Sequence, residues 1–205
     1  MVLLVFWCNR KLLVCCAQKR MRWHPLFGQV AERRCIVYHK GEYVVYGSNG
    51  VCQVGEVTTL NLDQIPKDRK YYVLYPRNNG GKVYVPVDKA DLKMRRILTR
   101  EEAEELIEKI PTIVPITVTN EKLLEEMYKK CMRCYDCTEW IRLIKCIYSR
   151  KQTRLSEGKK ITATDERYMH MAEESLYWEL GTALDIPREL VLEYIIKQIE
   201  KDKEE

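Results

Sequence analysis

The chain has 205 residues, 46% of them hydrophobic and 32% charged, which is the balance of an ordinary soluble globular protein with room for one large or two small domains. Its net charge of +5 is too small to define a partner by bulk attraction, so the placement of charge matters more than its sum. Nine cysteines, an odd number without a regular framework, argue for reduced thiols in a cytoplasmic setting and against a disulfide scaffold.

Residues 1–36 are unlike the rest. They carry two short apolar runs broken by Asn9-Arg10-Lys11, with Cys8, Cys15, Cys16 and Cys35, scattered Trp and Arg, and no clear period. Neither run approaches the roughly 18 apolar residues of a membrane span, so no membrane partner is expected. The order of apolar and charged residues is also wrong for a secretory signal. We read this stretch as upstream translation ahead of a domain that begins near Val37; a short membrane-associating or disordered leader is the alternative.

From residue 37 to residue 98 the chain alternates apolar and polar residues and is rich in Val and Tyr. Turns are marked at Gly47-Ser48-Asn49-Gly50 and Asn78-Asn79-Gly80-Gly81. This pattern predicts a small, strongly twisted antiparallel barrel. Its strands are Glu42–Tyr46, Val51–Leu60, Tyr71–Tyr75 and Lys82–Val87, with a polar connection over Asn61–Arg69. Gly55 permits a bulge or close packing. The segment holds no His/Asp/Ser cluster and no phosphate loop, so binding is expected of it and catalysis is not. Four strands leave edges that a partner strand can pair with through main-chain hydrogen bonds.

Helices follow. Thr99 and Glu102 form a capping box for a helix to about Lys109, stopped by Pro111, and Ile113–Val118 is an apolar connector. Residues 99–119 thus lead into a helical domain at 120–205. Its first helix, Glu121–Tyr135, carries Leu124, Met127, Tyr128 and Cys131 at core spacing. Thr138 is the expected cap of the next, in which Ile141, Ile144, Ile147 and Tyr148 face a core. On its other side Arg142, Lys145, Arg150, Lys151 and Arg154 face water or a polyanion. Gly158 ends it. Thr162 with Asp165 opens a helix bearing Tyr168, Ala172, Leu176 and Leu180, and Pro187 starts a last one. The sum is an α+β protein, a β-barrel followed by a compact all-α bundle.

Between Arg142 and Lys160 lie seven Lys or Arg and one acid, Glu157. Lys159-Lys160 precede a helix N-terminus, where backbone N–H groups also meet phosphate, and Arg167 follows. Such a stretch contacts nucleic-acid backbone without reading sequence. A solvated helix face is the plainer alternative. Cys131, Cys134, Cys137 and Cys146 have the composition of a thiolate site for zinc or an iron–sulfur cluster. Against that, the helical pattern makes them small core residues, and no metal or other cofactor is expected.

The run Lys40-Gly41-Glu42-x-Val44-Val45-Tyr46-x3-Gly50-Val51 resembles the opening of the CarD family of bacterial RNA polymerase-binding regulators. Tyr72-Val73-Leu74, Val83-x-Val85-Pro86-Val87 and Arg95-Arg96-Ile97 occupy the corresponding later places. Ile144-Lys145-x2-Tyr148-x-Arg150 and Ile161-Thr162-x2-Asp165-x-Arg167-Tyr168-Met169 are also similar to that family. Transcription-repair coupling factors carry a similar barrel but add a helicase motor, of which this sequence has no trace. The resemblance implies a Tudor/SH3-like barrel that pairs with the polymerase β subunit, and a helical domain that touches promoter DNA at the upstream edge of the melted region. Together these alter the lifetime of the open complex.

Two departures stand out. The Trp that well-known members wedge into the minor groove aligns at or beside Glu121, and Trp140 lies too far along, in a helix interface. Basic residues that some members use against polymerase fall near Leu60 and Tyr84. The expected protein is a non-enzymatic, monomeric, cytoplasmic regulator of transcription. Its polymerase contacts are Thr58, Leu60, Lys82 and Tyr84; its DNA contacts are Lys122, Arg150, Lys151, Arg154, Lys159, Lys160 and Arg167. A polymerase-binding adaptor without DNA contact, and a Cys-cluster metal or redox sensor, are the alternatives.

Overall fold

The computed structural model describes residues 37–60, 68–78, 80–118 and 121–201. The leader expected at 1–36, residues 61–67 of the polar connection, residue 79 of the second turn, residues 119–120 and the tail at 202–205 lie outside the described residues.

Strands β1 (Tyr43–Tyr46), β2 (Val51–Thr59), β3 (Lys70–Pro76), β4 (Val83–Pro86) and β5 (Met94–Arg96) form one antiparallel sheet in the order β4-β3-β2-β1-β5. Four strands were expected; the fifth pairs Val44 with Arg96, Val45 with Arg95 and Tyr46 with Met94. A three-residue strand with two cations has too little alternation to announce itself, and its formation depends on β1. Gly47 and Gly50 turn β1 into β2 with φ of +47° and +66°, a region that favours glycine.

The sheet curls. Laid flat, β4 and β5 would lie about 19 Å apart at the ordinary strand spacing. They are joined mainly by a 3₁₀ turn at Val87–Leu92, which spans only about 12 Å. Tyr38 crosses the concave face: its hydroxyl donates to Met94 O on β5, and its ring meets Tyr72 of β3 edge-on at 5.9 Å. Val44, Cys52, Val54, Tyr72, Leu74, Val85 and Met94 fill the core so enclosed.

Helices α1 (Arg100–Lys109), α2 (Leu124–Arg133), α3 (Cys137–Ser156), α4 (Ala163–Leu184) and α5 (Val191–Lys201) share a second core. Ala103 and Ile107 of α1 belong to it together with Leu143, Ile147, Leu176, Leu180 and Ile195. The Thr99–Glu102 capping box forms as expected, each side chain meeting the other's backbone N–H. Thr138 does not cap α3; Asp136 does, accepting from Glu139 N at 3.1 Å, and Thr138 sits in the first turn. Asp and Thr are both good caps. Here Tyr135, at a φ of +51°, turns the chain sharply enough to put Asp136 at the boundary.

The sheet and the helices are fastened together. Arg95 of β5 grips the fully buried Glu179 of α4 through Nη1 and Nη2 at 2.5 and 2.8 Å. Its Nε donates to Tyr135 O at 2.6 Å, and Glu179 also accepts from Leu98 N at 3.3 Å. Burial works against the charge on Arg95, and the paired carboxylate more than offsets it. Arg77, just past β3, lies over the rings of Tyr43 and Trp178 at 5.3 and 5.6 Å.

Candidate functional site

The convex face of the sheet is set by register. Gln53 pairs with Tyr75, Thr58 with Tyr71, Tyr71 with Pro86, and Val73 with Tyr84, so these residues share one side. Thr58, Lys82 and Tyr84 lie on this face by alternation, and Leu60 follows immediately after β2. Tyr84 is 44% exposed, Tyr75 is also exposed, and Lys82 stands over the Tyr75 ring at 5.8 Å. The Tyr75 ring lies on Gly55: a Cβ there would meet Tyr75 Cε2 at 2.5 Å and Val73 O at 3.0 Å. The register shift between Val54 and Val57 is the bulge that Gly55 foretold. Lys40 and Glu56 pair at 2.7 Å on the surface. Among the described residues, β4 has a strand neighbour on one side only. Pro86 in β4 suits an edge, since it has no N–H to offer a ladder.

The second candidate region is one end of the helical part, where the start of α2, the end of α3 and the start of α4 meet. Arg150 is half-buried and held by Glu121 at 2.6 and 3.1 Å, with Asp165 Oδ1 3.5 Å from its Nε. The bond to Glu121 holds the Arg150 guanidinium above its ordinary pKa, against burial and with help from Asp165. Asp165 is itself buried, accepting from Tyr128 Oη at 2.8 Å and Thr162 Oγ1 at 2.7 Å. Burial, then the bond to Asp165, pushes the Tyr128 phenol up. This network ties α2, α3 and α4 together, and charges surround it. Arg154 Nε donates to Lys160 O at 2.9 Å, Lys159 pairs with Glu157 at 2.8 Å, and Arg167 pairs with Glu125 at 2.9 Å. Lys122, Lys159, Lys160 and Arg167 are exposed, and Lys151 and Arg154 are half-buried. The first turn of α4 already carries Asp165 and Glu166, so its helix dipole is partly met from within.

Two cations of the basic stretch face elsewhere. Lys145 donates to the carbonyls of Ile110, Pro111 and Ile113, and Arg142 donates to Val114 O and Glu139. The expectation that both face water or a polyanion is therefore corrected: they pin the connector after α1 to α3. The reason is that the connector's carbonyls need donors, and long basic side chains on α3 reach them.

Residues 38–98 match the family model described as the CarD-like/TRCF RID domain. This segment is thus similar to CarD-like and TRCF RID domains, and it is called the RID domain below. Such a domain is a protein-interaction module of RNA polymerase-interacting, transcription-related proteins. No curated protein matches the chain. The RID domain coincides with the curled sheet, from Tyr38 across its core to the residues just after β5. The helices lie outside the matched segment. No helix among the described residues is long and apolar enough to cross a membrane.

Among the described residues, the cysteines do not converge on a ligand set. Cys131, Cys137 and Cys146 are buried while Cys134 is exposed, and among the described residues no three His, Cys, Asp or Glu side chains converge to hold a metal ion. Burial pushes the Cys131 thiol up to about 11 and raises Cys137 and Cys146 as well, which disfavours the thiolate that a metal requires. Tyr75 on the RID face was missed by the reading of edge positions, although its place two residues from Val73 on one strand face signals it. Glu121, at or beside which the resemblance puts the wedge, is exposed and ion-paired. Leu123, two residues on, is an exposed apolar side chain.

Proposed function

We propose that this protein regulates transcription by docking the RID domain on the polymerase β subunit and holding its helical end against promoter DNA. The observation that carries the reading is the RID domain itself, with an exposed face of Tyr75, Lys82 and Tyr84 beside a β4 edge that has an open side. A partner strand can add to that edge through main-chain bonds while the tyrosines supply contact area. At the other end Lys122, Lys151, Arg154, Lys159, Lys160 and Arg167 offer charge to phosphates. Arg150 acts there as a brace for Glu121 and Asp165. Because carboxylates interleave with these cations, the DNA contact is a modest, salt-sensitive one that adds to polymerase docking and does not replace it. Leu123, near the place where the resemblance puts the wedge, offers an exposed apolar side chain to the fork in this arrangement. The effect on initiation is a change in open-complex lifetime.

Co-purification of the full chain with core polymerase tests the docking. Promoter footprinting with and without the protein tests the DNA contact. Reversal of charge at Lys159 and Lys160 is expected to weaken the DNA-dependent effect and flatten its salt dependence while leaving polymerase binding intact. Retention of polymerase binding with no footprint and no salt effect would leave the protein an adaptor.

A further inference from the structure

The end of α2 carries a Cys-x-x-Cys pair, Cys131 and Cys134, that neither polymerase docking nor DNA contact uses. Residues three apart on a helix share a face, with Cβ atoms about 5–6 Å apart. Their Cα spacing of about 5 Å already suits a disulfide, and only about 1 Å of closure is needed between the Cβ atoms. The two thiols are free and lie within electrostatic reach of each other. Their settings differ. Cys134 is exposed, with Lys130 and Arg133 in the same turn, and its Sγ leans back along the helix to Lys130 O at 3.3 Å. Open, electropositive surroundings of this kind are where cysteines meet oxidants. Cys131 is buried, and its thiol donates to the Glu139 carboxylate. The backbone can give at this point. Cys134 is the helix cap, its N bonded to Cys131 O at 3.2 Å, and Tyr135 leaves the helix at a φ of +51°.

We propose that Cys131 and Cys134 form a reversible disulfide on exposure to a hydroperoxide, and that its closure loosens the junction between the RID domain and the helices. Cys134 Sγ attacks the outer peroxide oxygen. The O–O bond breaks, the alcohol leaves with the thiol proton, and Cys134 becomes a sulfenic acid. Cys131 Sγ then attacks the Cys134 sulfur. The S–O bond breaks as the S–S bond forms, and the Cys131 proton passes by way of Glu139 to the departing hydroxide. Two thiols and one hydroperoxide thus give one disulfide, one alcohol and one water, and a thiol reductant reverses the step by exchange. The consequence lies one residue on. Tyr135 O accepts from Arg95 Nε of β5 at 2.6 Å, and the Tyr135 hydroxyl lies beside Gly47 in the β1–β2 turn. Drawing Cys134 back towards Cys131 pulls Tyr135 off the sheet. The proposal stands apart from polymerase or DNA binding.

The test treats the full chain with tert-butyl hydroperoxide, alkylates the remaining thiols, and digests with trypsin without reductant. Cleavage after Lys130, Arg133 and Arg142 places Cys131 and Cys134 on separate peptides. The expected product is peptide 131–133 joined to peptide 134–142, lost with dithiothreitol and absent from Cys134→Ser. Cys134 shares its peptide with Cys137. Persistence of the linkage in Cys134→Ser would therefore assign it to Cys137 and overturn the proposal. So would a Cys134 that is recovered only alkylated, only over-oxidised, or only joined to a second chain. Amide exchange over residues 134–139 should quicken about tenfold in the oxidised chain, through loss of the bond from the charged Arg95 donor, and return on reduction. Exchange that oxidation leaves unchanged would overturn the link to the junction.

Discussion

Glu179→Ala should be among the most damaging single changes in this protein. The carboxylate is fully buried and accepts three hydrogen bonds, two from Arg95 and one from Leu98 N. Its removal leaves the Arg95 guanidinium with only the carbonyls of Tyr135 and Arg96 as partners. Breaking a buried pair by deleting one member costs about 3–5 kcal/mol. The Arg95 side chain keeps about a third of its surface exposed, so water recovers part of its solvation and the lower end, about 3 kcal/mol, applies. For a domain of this size that lowers Tm by roughly 6–12 °C. Thermal and urea unfolding measure it. The double replacement Arg95→Met with Glu179→Leu removes both charges and is expected to recover most of the loss, since apolar pairs of similar volume replace buried ion pairs at little cost. A loss under about 1 kcal/mol for Glu179→Ala, or a double variant no better than the single, would refute the view that this pair fastens the sheet to the helices.

Gly55→Val places a Cβ 2.5 Å from Tyr75 Cε2 and 3.0 Å from Val73 O, so the ring must leave the RID face. We expect about 1–3 kcal/mol of destabilisation in urea unfolding together with weaker polymerase binding. The Glu102 carboxyl is held at about 2 by Arg96, and by the Thr99 N–H of the capping box. Its folded value lies below the unfolded one, so its contribution is present above about pH 4.3 and is lost as pH falls towards 2. Glu102→Gln should therefore remove part of the acid dependence of stability in that window and leave the alkaline side unchanged, as followed by circular dichroism.

Much of the fold was legible because its signals are local. The alternation over Tyr43–Tyr46, the glycines at 47 and 50, and the Thr99–Glu102 box each act within a few residues. What escaped the sequence depends on distant partners. β5 exists because β1 offers it a ladder. Asp136 takes the α3 cap from Thr138 because Tyr135 turns the backbone just before it. The basic stretch from Arg142 to Lys160 reads as an open patch until the fold brings Glu121 and Asp165 to Arg150, and the carbonyls of Ile110–Ile113 to Lys145. One distant pair did leave a trace. Glu179 falls between Leu176 and Leu180 at core spacing on α4, and an acid in a buried stripe implies a cation waiting for it. The candidate polymerase face was half visible: alternation put Thr58, Lys82 and Tyr84 on it and, through Val73, also signals Tyr75, whose packing on Gly55 only the register of β2 against β3 reveals.

The most direct measurement is the affinity of the full chain for the purified polymerase β subunit, compared with a Lys82→Glu, Tyr84→Asp variant of unchanged circular dichroism. The expected outcome is specific binding by the native chain and at least tenfold weaker binding by the variant, about 1.4 kcal/mol. A native chain that fails to bind, or a variant that binds equally well, would contradict docking through this face of the sheet.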